Sequence, residues 1–251
     1  MAEALSLVRL APAWDQPSIR QELSVLLQAI AARMTDGVIY QGRNTLTRLT
    51  IAGREVVAKA FPAPRTLLKR LQRIGRQSKA VRAFDHAERM QRLGIGTPEP
   101  LATIAADDGR TWYVCAWADG CTTVRHINKQ SGPEIDRLCA DVGAFIGRMH
   151  QAGAYHFDNT PGNVLLREHG ETATFLVVDC NRMRFGRIGA WAGLRSLVQL
   201  DWRGRLLDSY CAARGWNPAR VRWMYHLRVA LERWTRALKG ATRPLRRKLG
   251  V

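Results

Sequence analysis

The octapeptide His156-Phe157-Asp158-Asn159-Thr160-Pro161-Gly162-Asn163 and an aspartate sixteen residues after its end, Asp179, decide how this chain reads. Asp158 and Asn163 stand five positions apart. At that spacing an acid can reach an acceptor hydroxyl while an amide, one loop later, turns back to hold a metal on phosphates. The run Phe175-Leu176-Val177-Val178 reads as a buried strand and leads straight into Asp179-Cys180-Asn181. A carboxylate at the end of such a strand is costly unless something neutralises it, and a magnesium ion does so.

His-x-Asp with an Asn five positions after the Asp is the pattern of a protein-kinase catalytic loop, and Asp179 stands where a kinase places its metal-binding Asp. Cys180-Asn181 replaces the usual Phe-Gly after it. Upstream, Val56-Val57-Ala58-Lys59 resembles the Val-Ala-Ile-Lys strand, and a lysine among apolar strand residues needs a phosphate or an acid as partner. Tyr40-Gln41-Gly42-Arg43-Asn44 lies where a phosphate-covering loop belongs, with one glycine in place of three. Backbone N–H groups near Gly42 and the side chains of Arg43 and Asn44 are its candidate phosphate contacts. Kinases pair the strand lysine with a Glu on the following helix; Ala83 occupies that place here, leaving Asp85, Glu88 or no residue as the partner.

The element order agrees with such a fold. Ser18 and Gln21 predict a capping box for a helix over 18–34, whose apolar residues recur at helical spacing. Strands are expected at 38–41, 46–52 and 55–61, then a basic helical segment ending near Leu93-Gly94, then strands at 100–106 and 111–117 around Asp107-Asp108-Gly109. A second capping box, Ser131 with Glu134, predicts a helix with Pro133 near its start. Short strands at 164–167 and 175–178 follow, and 189–251 reads as mostly helical. The expected class is α+β, protein-kinase-like. Residues 1–37 would form an N-terminal helical extension, 38–117 a small β-rich N-lobe, and 118–251 a larger, mostly helical C-lobe with basic C-terminal helices.

Gly42-Arg43-Asn44, Val57-Ala58-Lys59, Ser78-Lys79-Ala80, Gly94 to Pro100, the loop from Asp158 to Asn163, and Val178 to Met183 together resemble the bacterial lipopolysaccharide kinase family. That family includes the Kdo and heptose kinases of the lipopolysaccharide core. The resemblance covers roughly residues 38–187. It implies ATP and magnesium as cofactors and a sugar hydroxyl on a lipid-linked oligosaccharide as acceptor, at the inner face of the cytoplasmic membrane. It also implies the site: Asp158 as base, Lys59 and residues 42–44 on the phosphates, Cys115 and Trp117 beside the adenine, and Asn163 with Asp179 on the metal.

Composition bounds the alternatives. A net charge of +18 attracts phosphate-rich partners: nucleic acid, anionic lipid or phosphorylated glycolipid. Seven cations and no acid fall between residues 65 and 82, and thirteen Lys and Arg against three acids from 201 onward. Five cysteines without a C-x-x-C pair read as reduced residues of a cytosolic protein. Neither a signal peptide nor a membrane span is expected, so membrane contact would be peripheral. Three rival readings stand beside the sugar kinase. A kinase of small molecules or proteins would need acids to line a pocket for cationic substrates, and the chain has few. A pseudokinase fits the single loop glycine and the missing Glu. A basic nucleic-acid-binding protein would leave Lys59, Asp158, Asn163 and Asp179 unexplained, and no nucleic-acid motif is present.

Overall fold

A computed structural model describes residues 5–31, 37–42, 44–63, 75, 77–170, 172–200 and 203–248. The chain divides into two compact units, residues 1–121 with 176–182, and residues 122–175 with 183–251.

The first unit is built on six antiparallel strands: β1 (Leu5–Leu10), β2 (Val38–Gln41), β3 (Thr45–Ile51), β4 (Arg54–Phe61), β5 (Pro100–Ala106) and β6 (Thr111–Ala116). Their order across the sheet is β1-β5-β6-β4-β3-β2. Strands β2 to β6 fall within a residue or so of their expected places. Strand β1 was not expected; it pairs with β5 ahead of helix α1 (Pro17–Ala31). Helix α1 starts one residue before Ser18, with the Arg20 N–H donating to the Gln16 carbonyl at 3.0 Å, so Ser18 is not the residue that caps it. The turn between β3 and β4 takes left-handed dihedrals at both Ala52 (φ 48°) and Gly53 (φ 72°), as a tight two-residue hairpin turn requires.

Helix α2 (Lys79–Arg92) is capped by Ser78, whose hydroxyl accepts from the Val81 N–H at 3.1 Å. Ala80, Ala83, Phe84, Ala87 and Met90 recur at helical spacing and are buried against the sheet. The segment 176–182 joins this unit through hydrogen bonds rather than chain continuity. Val177 N–H donates to the Gly96 carbonyl at 2.9 Å, and the Thr97 hydroxyl donates to the Val177 carbonyl at 2.8 Å.

The second unit contains β7 (Thr122–Thr123), α3 (Pro133–Gln151), β8 (Ala154–His156), β9 (Val164–His169), the start of β10 (Thr172–Val177), β11 (Met183–Phe185), α4 (Ala190–Leu200), α5 (Leu207–Ala213) and α6 (Pro218–Lys248). Helix α3 is capped by Gly132, at φ 129°, without a side-chain bond. The expected Ser131–Glu134 capping box is therefore corrected, while Pro133 does occupy the first turn. Helices α3 and α5 approach closely because α3 carries Gly143 and Gly147 at the crossing. A Cβ at Gly143 would lie 2.5 Å from the Leu206 carbonyl oxygen, and one at Gly147 would lie 2.9 Å from that of Tyr210.

His150, near the end of α3, is buried, and its Nδ1 lies 3.0 Å from the Tyr210 hydroxyl of α5. Its Nε2 is buried with no protein partner. Burial, and secondarily the charge of Arg214, hold the imidazole pKa down at about 3. The unfolded chain therefore takes up a proton, between pH 6.5 and 3, that the folded chain refuses. This contribution to stability is present above pH 6.5 and is lost as the pH falls. Wild-type protein should lose about 2 kcal/mol more stability between pH 7.5 and 5 than His150→Gln. Urea unfolding at the two pH values measures the difference, and equal losses would show that His150 does not titrate on unfolding.

Candidate active site

Strand β4 is interior, and Lys59 within it sits in register with Leu46 of β3 and Tyr113 of β6. Neighbouring strands take up its backbone groups, so its side chain must find its own partner. That partner is Asp179: the two form an ion pair, with side chains 17% and 22% exposed. Of the three alternatives for a partner on α2, namely Asp85, Glu88 or no residue, the last one holds among the described residues. Asp85 faces Gln77 (3.1 Å) and Arg9 (3.6 Å), and among the described residues Lys59 pairs with neither Asp85 nor Glu88.

Asp179 adopts a left-handed backbone, φ 63°, which non-glycine residues seldom take. Its neighbours hold it there. Val177 is tied on both sides to Gly96 and Thr97, and the Cys180 carbonyl accepts from Nδ1 of His86 on α2 at 2.7 Å. Burial lowers the pKa of His86, with the bond to Cys180 opposing it, and because a carbonyl can only accept, Nδ1 is the donor. Helix α2 therefore acts on this aspartate through a histidine and the backbone.

Between β2 and β3, Gly42 N–H donates to the Asn44 carbonyl at 3.1 Å, and Asn44 Oδ1 is buried without a protein partner. Arg43 lies outside the described residues. At the end of β6, burial pushes the Cys115 thiol up to about 12, which makes it an inert apolar wall rather than a nucleophile. Trp117 N–H donates to the Glu55 carbonyl at 2.9 Å. One face of its indole is covered by the Arg48 guanidinium, 4.4 Å from the ring centre, and Arg48 is itself held by Glu55 at 2.5 Å.

In the second unit, β8 pairs with β11 and ends at the buried His156. Nδ1 of His156 accepts from the Asp158 N–H at 3.0 Å, turning the chain so that Asp158 leaves the strand. The Asp158 carbonyl accepts from the Thr160 N–H and from Nδ2 of Asn163, both at 2.8 Å, and Asn163 N–H donates to the Thr160 carbonyl at 2.9 Å. With Nδ2 committed, Asn163 presents its Oδ1 as the atom for a cation. Asn159 is fully buried; it donates through Nδ2 to the Ser196 hydroxyl at 2.7 Å and through its backbone to Gln199 at 3.1 Å, anchoring the loop on α4.

Asp158 lines a cavity of 640 Å³ together with Tyr155, Trp191, Arg184, Arg195 and Arg228. None of these other five was singled out in the sequence. Arg228, Glu232 and Thr235 of α6 do recur at helical spacing, but that spacing alone does not say which face meets Asp158.

The donors suit the implied groups. The Asp179 carboxylate and the Asn163 amide oxygen are the hard oxygen ligands magnesium prefers, and it binds through one or two protein groups plus substrate phosphates. The Lys59 ammonium is a group that phosphate oxygens can engage, whereas the unpartnered Oδ1 of Asn44 is an acceptor and cannot.

Comparison with known proteins gives the family and the fold. The model of the lipopolysaccharide kinase (Kdo/WaaP) family matches residues 67–202, more than half of the chain. Among solved structures, WaaP in complex with acyl carrier protein superposes with a TM-score of 0.60 at 16% identity, covering 93% of this chain and 99% of that one. The fold is therefore protein-kinase-like, with mixed sheet and helix. Two further structures, the Mycobacterium tuberculosis PknI kinase domain (TM-score 0.42, 14% identity, 73% of this chain and 74% of that one) and vaccinia related kinase 3 (0.38, 11%, 59% and 47%), are too distant to add to this. No curated protein sequence matches the chain.

Asn159→Ala should lower stability by about 1–3 kcal/mol, because it leaves the buried Ser196 hydroxyl without its Nδ2 donor, while the backbone bond from residue 159 to Gln199 remains. Hydrogen exchange at residues 158–163 should rise with it; unchanged exchange would show that the loop is held by other contacts.

Proposed function

The chain belongs to the lipopolysaccharide kinase (Kdo/WaaP) family and is a phosphotransferase, and from that premise we propose that it phosphorylates a sugar hydroxyl, of Kdo or heptose, in lipopolysaccharide core or a related lipid-linked glycan. Bound ATP supplies the phosphoryl group, and magnesium offsets the charge on its oxygens. Asp158 takes the proton of the acceptor hydroxyl. Asp179 and Asn163 would hold the metal, and Lys59 with Gly42, Arg43 and Asn44 would hold the phosphates. Cys115 and Trp117 flank the adenine. The reaction then depends mainly on positioning and charge neutralisation.

The observation that carries this reading is the Lys59–Asp179 ion pair on an interior strand. Two largely buried opposite charges are each able to exchange the other for a ligand: the ammonium for phosphate oxygens, the carboxylate for a divalent cation. Asp158→Ala and Asp179→Ala should each slow transfer from labelled ATP to a core-lipopolysaccharide acceptor by about 10²–10⁴-fold while the protein stays folded. Lys59→Ala should weaken magnesium-dependent ATP binding in calorimetry. Near-normal turnover by folded Asp158→Ala would remove the assignment.

A lipid-linked acceptor calls for contact with an anionic membrane surface, and α6 supports it. Trp223, Leu227, Leu231, Trp234 and Leu238 recur every three or four residues along this helix, and all are exposed, the two tryptophans by 65% and 62%. Arg220, Arg222 and Arg233 are exposed on the same helix, and the chain as a whole carries +18. Apolar side chains with tryptophans and flanking cations are what an interfacial helix needs. No helix among the described residues is long and apolar enough to cross a membrane. The basic stretch around Arg65, Lys69, Arg70, Arg73 and Arg76 lies outside the described residues, as do the side chains of Arg243, Arg246, Arg247 and Lys248. Replacing Trp223 and Trp234 together by alanine should reduce co-sedimentation with anionic vesicles by about tenfold or more. A wild-type protein that ignores such vesicles at low salt would end the membrane reading.

A further inference from the structure

The cavity beside Asp158 is unusually rich in arginine. Arg184 comes from β11, Arg195 from α4 and Arg228 from α6, so three separate elements deliver three guanidinium groups to one space. Among the described residues none of the three forms a salt bridge. Aromatic faces hold two of them instead: Arg228 lies 4.6 Å from the Trp191 ring centre and Arg184 lies 5.5 Å from that of Tyr155. Contact with a ring face leaves the in-plane N–H donors of a guanidinium unspent, and Arg228 Nε is buried with no protein partner.

The charges also act on one another. Burial first, and then the neighbouring charge of Arg195, lowers the pKa of Arg228, with Glu232 opposing both. All three arginines bear on the Tyr155 hydroxyl, whose pKa burial nonetheless raises. Like charges gathered at one cavity are unfavourable until an anion joins them. Asp158 and Glu232 are the two acids on the wall, and Asp158 is reserved for the hydroxyl proton.

The remaining lining suits a sugar. A volume of 640 Å³ accommodates a saccharide, and Trp191 and Phe157, exposed by 42% and 44%, offer flat apolar surfaces to the C–H face of a ring.

We infer that Arg184, Arg195 and Arg228 form an acceptor subsite that binds an oxyanion carried by the sugar, a carboxylate or a phosphate monoester, and so turns the neighbouring hydroxyl toward Asp158. The inference rests on the reading of Asp158 as the base. Guanidinium forks bind either anion through paired N–H bonds, which fixes the orientation of the ring as well as its presence. These arginines are specificity-determining residues; the phosphoryl chemistry itself stays with Asp158.

The test measures binding in the absence of nucleotide, by calorimetry and tryptophan quenching, using two pairs of probes. They are the methyl glycoside of a 2-keto-3-deoxy sugar acid, its methyl ester, and a heptose phosphate compared with the free heptose. Wild-type protein should bind one of the anionic sugars on the order of tenfold more tightly than its neutral counterpart, and which one does so distinguishes carboxylate from phosphate. In Arg195→Gln, a change on the exposed face of α4, that preference should collapse towards unity; Arg228→Lys, which keeps the charge but not the fork, should lose most of it. Equal affinity of wild-type protein for charged and neutral sugars overturns the subsite. So does a pair of variants that lose affinity for ATP while keeping the preference for the anionic sugar. If the preference is found but no sugar is phosphorylated, the subsite stands and the kinase reading falls. If sugars are phosphorylated without regard to their charge, the kinase reading stands and the subsite falls.

Discussion

A lysine in the middle of a six-stranded sheet cannot reach water through an open edge, and its charge has to be met by something that folds against it. In this chain that group is Asp179, 120 residues further along, and meeting it constrains much else. Residues 176–182 must leave the neighbourhood in sequence of the second unit and join the first. They do so through the bonds of Val177 to Gly96 and Thr97 and of Cys180 to His86. Asp179 is then held in a left-handed conformation that a free chain would seldom visit. An ion pair this little exposed is a poor source of net stability, because desolvating both charges offsets most of their attraction. The use proposed for it is chemical: each member can be given a new partner.

The loop from His156 to Asn163 follows a different logic. Its polar groups are spent on one another and on α4, so that few remain for the surroundings. His156 receives the Asp158 N–H, the Asp158 carbonyl receives Asn163, and Asn159 is buried beneath Ser196. Ordering a polar loop in this way fixes the backbone that carries the Asp158 carboxylate to the cavity wall. Helix α6 completes the same wall. One of its faces gives Tyr225 and Val229 to the core, another gives Arg228, Glu232 and Thr235 to the cavity, and a third leaves its tryptophans and leucines exposed. A single helix can serve core, cavity and outer surface because its side chains advance by about 100° per residue.

Much of this was legible in the residues alone, and the legible part has a common character. The spacing of Asp158 and Asn163, the apolar run into Asp179, the position of Lys59 on its strand, and strands β2 to β6 are all signalled within a few residues. Family membership and the kinase-like fold follow from these short patterns taken in order. Local signals still misled where two groups compete for one role. Ser131 and Glu134 have the spacing of a capping box, yet Gly132 adopts a backbone angle that only glycine takes comfortably, and the helix begins there instead. Ser78, with no Glu or Gln three residues later, is the serine that does cap a helix.

Sequence by itself determined which chemical groups the chain carries and at what spacing along it, because helix, strand and turn preferences are set by neighbours within a turn or two. Tertiary structure decided which groups meet. It chose Asp179 over Asp85 or Glu88 as the partner of Lys59, set β1 beside β5, formed strands of two or three residues at β7, β8 and β11, and gathered Arg184, Arg195 and Arg228 around one cavity. Strands so short carry no periodicity to read, and arginines on three different elements carry no common spacing. Their meeting depends on where those elements cross, and that is fixed by the packing of the apolar faces as a whole rather than by the residues on either side.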